Sequence, residues 1–106
     1  MNNQKNIVLC GVGGQGTVLA SKLLAAAAMS KDIPVMSAET IGMAQRGGSV
    51  FSHLRMGNDL YSPMIETGTA DLIIGFEPGE TVRMLPYLKT GGHVVVSTRA
   101  VKPVTA

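Results

Sequence analysis

The chain has 106 residues, of which 45% are hydrophobic and 15% charged, and this length and composition indicate one globular domain and exclude a disordered chain. Nine basic and seven acidic residues give a net charge of +2 without a basic cluster, which excludes a nucleic-acid-binding surface. Cys10 is the only cysteine, so cysteines of this chain cannot form an intrachain disulfide, an iron–sulfur cluster or a zinc site, and we expect a small buried side chain there.

The N-terminal segment Met1–Asn6 is polar and lacks the apolar region of a signal sequence. The longest apolar run, Leu23–Met29, is far shorter than the roughly 20 residues that cross a bilayer. These features predict a soluble, cytoplasmic protein without a membrane partner.

The chain begins with a predicted strand, a glycine-rich turn and a helix. Ile7–Cys10 is a continuous apolar run typical of a buried strand, and a helix is predicted over Gln15–Met29. The turn has the G-x-G-x-x-G spacing of a dinucleotide-binding loop, and a tight turn into a helix aims backbone N–H groups at an anion. The candidate ligand-binding residues are Gly11, Gly13, Gly14, Gln15 and Gly16. A turn that only permits tight packing is the alternative.

In this helix Leu19, Leu23 and Ala26/Ala27 recur at helical spacing, whereas Ser21 and Lys22 lie off the stripe. We expect the stripe to face the sheet, because alanines allow a helix to approach a sheet closely.

A second strand is predicted over Ile33–Ala38, and an apolar helix between two apolar strands favours a right-handed βαβ unit. Glu39 follows at the position where dinucleotide-binding units carry an acid for the ribose hydroxyls. A nicotinamide- or flavin-dinucleotide site is therefore one interpretation. Pairing of Glu39 with Arg46, or capping of the following loop by Glu39, is the other.

The pattern changes after Glu39. Thr40–Gly48 has no clean periodicity and ends in a glycine pair, whereas Ser49–Met56 alternates like a half-buried strand. Gly57–Asp59 indicates a turn, and Leu60–Ile65 is predicted to return as a short edge strand. These residues predict a hairpin inserted into the α/β pattern, with His53 and Arg55 on a face that solvent or another subunit covers.

Regular α/β order resumes with a strand over Asp71–Phe76, a helix over Pro78–Leu88 and a strand over His93–Thr98. The helix is predicted to turn Val82, Leu85 and Leu88 inward and to end before Gly91-Gly92. Glu77 either lines a site at the sheet edge or acts as a first-turn acid.

The predicted fold class is α/β, a Rossmann-like three-layer arrangement of a mostly parallel sheet with an inserted β-hairpin. No helix is predicted after the last strand. The fold is thus incomplete at its C-terminal end, so either a partner completes a short domain or the sequence is part of a longer chain.

Two strings carry a family resemblance: G-V-G-G-Q-G-T at Gly11–Thr17 and A-E-T-I-G-M-A-Q-R-G-G-S-V-F-S-H-L-R-M-G at Ala38–Gly57. Together they resemble the gamma subunits or domains of 2-oxoacid:ferredoxin oxidoreductases, and within that family the small, beta-type subunits of indolepyruvate ferredoxin oxidoreductases. The resemblance covers nearly the whole chain, so we interpret residues 1–106 as a single gamma-type domain, whole or partial.

The resemblance implies a subunit of an enzyme, inactive alone, that oxidatively decarboxylates a 2-oxoacid to an acyl-coenzyme A and passes electrons to ferredoxin. It also implies a larger partner subunit carrying thiamine diphosphate and Fe–S clusters, with coenzyme A as a ligand that this chain could contact. A free-standing dinucleotide-binding module and a purely structural subunit are the alternatives. No catalytic or metal-ligating residue is identified.

Arg46 is the strongest single candidate for ligand binding, in the set Gln45, Arg46, Gly47 and Gly48. Its planar guanidinium can hold a phosphate or a carboxylate through two hydrogen bonds, and the glycines let backbone approach a ligand closely. An interface salt bridge to another subunit is an equally good interpretation.

Overall fold

The computed structural model describes residues 4–12, 16–41, 49–58 and 60–97. Within these ranges the chain forms β1 (Lys5–Val12), α1 (Thr17–Met29), β2 (Val35–Ile41), β3 (Ser49–Met56), β4 (Ala70–Gly75), α2 (Pro78–Met84) and β5 (Leu88–Val96), with a 3-10 turn at Leu85–Tyr87. The predicted α/β class is confirmed. None of the helices in the described ranges has the length and apolarity to span a membrane.

The strands form one mixed sheet in the order β2-β3-β1-β4-β5. β1 pairs in parallel with β4, and β4 with β5, whereas β3 runs antiparallel between β1 and β2. β3 is antiparallel to both of its neighbours. The other four strands, β1, β2, β4 and β5, therefore all run in the same direction. The sheet is mostly parallel in this sense, but β1 and β2 are not neighbours, so they do not form the simple βαβ unit that was predicted.

The inserted element is a single strand and not a hairpin. β3 has the predicted bounds, but Leu60–Ile65, predicted as its partner, forms no strand. β1 and β2 already pair with β3 on its two sides, from Lys5↔Met56 to Val12↔Ser49 and from Val35↔Met56 to Ile41↔Val50. A further strand would have no free edge of β3 to join.

Helices cover both faces of the sheet, so the predicted three layers are confirmed. Alternate residues of β1 point to opposite faces: Ile7 and Leu9 belong to the core under α1, and Val8 and Cys10 to the core under α2. All four are less than 9% exposed, which makes β1 the strand that both cores share.

The predicted inward stripe of α1 faces outward. Leu19 and Leu23 are each 62% exposed and Ala26 and Ala27 are also exposed, whereas Ser21 is buried. The prediction of an inward stripe was wrong because the helix is apolar on both sides. Its small residues lie against the sheet, where they permit close packing.

The second helix is shorter than predicted. α2 ends at Met84 and a 3-10 turn follows, because Pro86 has no N–H with which to continue the α-helical hydrogen bonds. Val82 and Leu85, predicted to face inward, are 64% and 42% exposed, and Met84 is buried instead. β5 already begins at Leu88 and runs through the glycine pair predicted to precede it.

Candidate functional site

The candidate site lies at the carboxyl end of β1. Gly11 and Val12 end the strand, and Gly16, in the left-handed conformation at φ 85°, precedes α1. The predicted strand before the glycine-rich segment and the predicted helix after it are therefore confirmed. Gly13, Gly14 and Gln15 lie outside the described residues, so their part in ligand binding stays a prediction.

The start of α1 is suited to an anion. No side chain caps the helix at Gly16, and its first turn carries no acidic residue. The first α-helical hydrogen bond runs from the Ala20 N–H to the Gly16 carbonyl at 2.8 Å. The backbone N–H groups of the residues before Ala20 therefore have no acceptor within the helix. They and the helix dipole favour a negative group at this end.

Thr17, the first residue of α1, was not predicted as a site residue. It is 3% exposed, and its Oγ1 has no hydrogen-bond partner in the described part of the chain. A small pocket lies beside it, between the end of β1 and the starts of α1 and β3. A hydroxyl residue directly after the last glycine of the turn is the sequence signal that could have identified it.

The second predicted set, Gln45, Arg46, Gly47 and Gly48, lies outside the described residues. The residues that flank it are described: Ile41 pairs with Val50, and Ser49 pairs with Val12. The connection from β2 to β3 therefore starts and ends at the sheet edge where the glycine turn leaves β1. The strand register brings the flanks of both sequence motifs together.

Glu39 does not occupy the position of a ribose-binding acid. It lies within β2, exposed and opposite Ser52 of β3. In a dinucleotide-binding unit the acid ends the strand next to β1. Here β3 intervenes, which puts β2 about 10 Å from β1, or two strand spacings. The geometry thus disfavours the dinucleotide interpretation.

Glu77 caps α2. Its carboxylate accepts the backbone N–H of Glu80 at 2.8 Å, so of the two roles considered for it the structure supports the helix-terminal one. Cys10, beneath it, is 1% exposed, as predicted. Burial raises the pKa of its thiol, against the opposing effect of its bond to Thr81, so Cys10 is not an activated nucleophile.

His53 and Arg55 were predicted to lie on a face covered by solvent or by another subunit. In the structure the connection between β3 and β4 covers that face, and both side chains bind it. His53 is fully buried, and its Nδ1 accepts the backbone N–H of Ile65 at 2.9 Å. Arg55 donates to the Ser62 carbonyl at 2.9 Å and to Asn6 Oδ1 at 3.0 Å. Their roles are structural, and no group of His, Cys, Asp or Glu in the described ranges is placed to hold a metal ion.

The sequence profile of the pyruvate ferredoxin/flavodoxin oxidoreductase family matches residues 6–106. The chain is 46% identical over 99 residues to the indolepyruvate oxidoreductase subunit IorB of Pyrococcus horikoshii, a match that covers 93% of this chain and 49% of that protein. The chain thus spans about half the length of this curated relative.

Two solved structures share the fold. The gamma subunit of the keto/oxoacid ferredoxin oxidoreductase from Geobacter sulfurreducens superposes with a TM-score of 0.69 at 23% identity, over 92% of this chain and 56% of that one. The 2-oxoglutarate:ferredoxin oxidoreductase from Magnetococcus marinus, solved with 2-oxoglutarate, coenzyme A and succinyl-CoA bound, gives a TM-score of 0.79 at 21% identity, over 97% of this chain and 18% of that one.

Proposed function

The chain belongs to the pyruvate ferredoxin/flavodoxin oxidoreductase family, and we propose that it is the non-cluster subunit of a 2-oxoacid:ferredoxin oxidoreductase. The reaction is the oxidative decarboxylation of a 2-oxoacid with coenzyme A, giving an acyl-CoA, carbon dioxide and reduced ferredoxin. Indolepyruvate or another aryl pyruvate is the proposed substrate, because the relative at 46% identity is named for it. A larger subunit carries thiamine diphosphate and Fe–S clusters, and the cytoplasm is the proposed location.

The observation that carries this proposal is the pairing of Val12 with Ser49, which places the flanks of both sequence motifs at one edge of the sheet. A ligand held there would meet the start of α1 and the connection that contains Arg46. Among the anions of this reaction, we propose that the phosphates of coenzyme A bind at this surface. The buried hydroxyl of Thr17, without a partner in the described chain, fits a group with hydrogen-bond acceptors.

In this proposal the chain binds and orients and does not itself carry electrons. The N–H groups at the start of α1 and the Arg46 guanidinium hold phosphate, while the glycines keep side chains out of the way. Coenzyme A supplies the thiol that accepts the acyl group, and the larger subunit performs the decarboxylation.

Calorimetric titration of the chain, alone and in the reconstituted complex, with coenzyme A, thiamine diphosphate and NAD tests the proposal. We expect coenzyme A to bind and Arg46→Ala to weaken its binding about tenfold or more, since hydrogen bonds to charged groups contribute roughly 1.5–3 kcal/mol. Arg83→Ala is the matched control, because Arg83 is an exposed arginine on α2.

Tight binding of NAD by the isolated chain would support a dinucleotide module instead. Binding of none of the three ligands, together with stable association with the larger subunit, would support a purely structural subunit. Unchanged affinity in Arg46→Ala would remove that side chain from the site.

A further inference from the structure

Three buried side chains in the described ranges carry a polar atom without a hydrogen-bond partner: those of Thr17, Ser52 and His53. Ser52 and His53 lie in the middle of β3, whereas Thr17 lies at the sheet edge, as the first residue of α1. Burying a hydroxyl without a hydrogen bond lowers the stability of a fold. A valine, which has the same shape, would therefore serve the fold better than Thr17 does.

A second buried threonine shows how a hydroxyl is satisfied in this fold. Thr81 of α2 is 4% exposed, and its Oγ1 donates to the Glu77 carbonyl, four residues earlier, at 2.8 Å. Thr17, 3% exposed, is the first residue of its helix, so α1 offers it no carbonyl four residues earlier. The hydroxyl of Thr17 is therefore left for a partner other than the backbone of its own helix.

Thr17 also lines the pocket between the end of β1 and the starts of α1 and β3, together with Val12, Gly16, Val18 and Val50. The pocket has a volume of about 290 Å³, at the lower end of small-molecule sites, so it suits one group of a coenzyme and not the whole of it. Threonine uses two χ1 rotamers in helices, so rotation about one bond can turn the hydroxyl towards that pocket.

The hydrogen-bond donors at this pocket are uncharged. Its described lining residues have no ionisable side chain, which leaves the backbone N–H groups of the first turn of α1 and the Thr17 hydroxyl. Each phosphoryl group of a diphosphate bridge carries a single negative charge, whereas a terminal phosphate carries about −1.5 to −2 and is commonly bound by arginine. Uncharged donors at a helix start therefore favour a diphosphate bridge.

We propose that the Thr17 hydroxyl and the first-turn N–H groups of α1 bind the diphosphate bridge of coenzyme A, and not its 3′-phosphate. The inference rests on the proposed function, which supplies coenzyme A as the ligand. Thr17 is a positioning residue: its hydroxyl lowers the stability of the ligand-free chain and gains its hydrogen bond when the bridge binds.

Thr17→Val removes the hydroxyl and keeps the shape of the side chain, whereas Thr17→Ser keeps the hydroxyl. Calorimetric titration of the reconstituted complex measures the affinity of each variant for coenzyme A and for dephospho-coenzyme A, which lacks the 3′-phosphate. We expect Thr17→Val to weaken the binding of both ligands by the same factor, about tenfold, and Thr17→Ser to restore most of the affinity.

Urea unfolding of the ligand-free chain separates this role from a structural one. Thr17→Val should unfold at a higher urea concentration than the wild type, because it removes a buried group that has no partner. Thr81→Val is the matched control, since it removes a hydrogen bond that the chain does make. It should unfold at a lower urea concentration and leave the affinity for coenzyme A unchanged.

The outcomes distinguish this inference from the proposed function. If the wild-type complex does not bind coenzyme A, the ligand of the proposed function is wrong and this inference fails with it. If it binds, and Thr17→Val binds equally tightly, only the assignment of Thr17 is wrong. A loss confined to coenzyme A would move the hydroxyl to the 3′-phosphate. A Thr17→Val chain that is less stable, or that fails to fold, would make Thr17 a structural residue.

Discussion

A single pair of residues brings α2 close to the sheet. Gly75 ends β4, and a β-carbon there would lie 2.8 Å from Thr81 Cβ, closer than real side chains approach. Thr81 in turn donates its hydroxyl to the Glu77 carbonyl at 2.8 Å and accepts from the Cys10 thiol. The absence of a side chain at Gly75 is what lets α2 pack over β1 and β4.

Gly75→Ala should lower the free energy of unfolding by about 1–3 kcal/mol, the usual range for an overpacked core. The loss should shrink in a Thr81→Ala background, because the γ-atoms of Thr81 are among the three nearest atoms to the new methyl group. Urea unfolding of the four proteins measures both effects. An equal loss in the two backgrounds would show that the γ-atoms of Thr81 are not the obstacle.

Element by element, the connection from β3 to β4 depends on side chains of the sheet. The Ile65 N–H donates to His53, and Arg55 donates to the Ser62 carbonyl. The side-chain amide of Asn6 donates to the Thr69 carbonyl at 3.1 Å. The His53 ring also packs against the rings of Phe51 and Tyr87. The connection is therefore held by specific polar contacts and not by strand pairing.

Stability should depend on the charge of His53. Burial lowers its pKa from the ordinary value of 6.5, so in mildly acidic solution the unfolded chain binds this proton more readily than the folded one. The contribution of neutral His53 to the free energy of unfolding is therefore complete above pH 6.5. It is lost as the pH falls towards and through the folded-state pKa. Urea unfolding between pH 5 and 7 should show this decrease.

His53→Gln is the control for that measurement, since its amide oxygen can accept the Ile65 N–H but does not titrate in this range. Its stability should vary less with pH over the same interval. Equal pH dependence in both proteins would assign the effect to other groups, whereas a flat profile for the wild type would contradict the buried neutral imidazole.

Sequence patterning was sufficient for some elements and not for others. β3 was predicted with the observed bounds, because polar and apolar residues alternate along it. The face of α1 was not predictable from periodicity, since leucines and alanines occur on both sides and only packing decides which leucines are buried. The strand predicted over Leu60–Ile65 was wrong: Arg55 and His53 bind that segment through side chains, and such contacts leave no periodic signal.

For the candidate site, the glycine turn and its position after β1 were predictable, because strand, turn and helix signals are local. Thr17 was missed, since its significance depends on burial. The separation of Glu39 from β1 was not predictable either, because it results from the insertion of β3, a long-range pairing. The ligand contacts of Gln45, Arg46, Gly47 and Gly48 stay predictions.

At the scale of the whole molecule, one edge of the sheet carries exposed apolar side chains and pairs with no further strand among the described residues. β5 is an edge strand, and Val94, Val95 and Val96 are 36%, 58% and 38% exposed. An edge strand with such side chains offers unpaired backbone groups to another strand. The isolated chain should therefore associate with itself at high concentration.

Val95→Lys should reduce that association while changing the free energy of unfolding by no more than about 0.5 kcal/mol, as expected for an exposed position. Light scattering over a concentration series measures it. Val82→Lys adds the same charge on α2 and should leave association unchanged. A similar reduction by both variants would attribute the effect to net charge and not to the edge.

The place of β3 in the sheet also has a consequence for biosynthesis. Leu9 of β1 pairs with Ser52 and Ile74, both far along the chain. At typical translation rates, the ribosome needs roughly 3–12 seconds to go from the end of β1 to the end of β4. During that interval the newly made apolar strand lacks β4, and for the larger part of it β3 is incomplete as well. Nascent chains of this protein should therefore be strong clients of ribosome-associated chaperones.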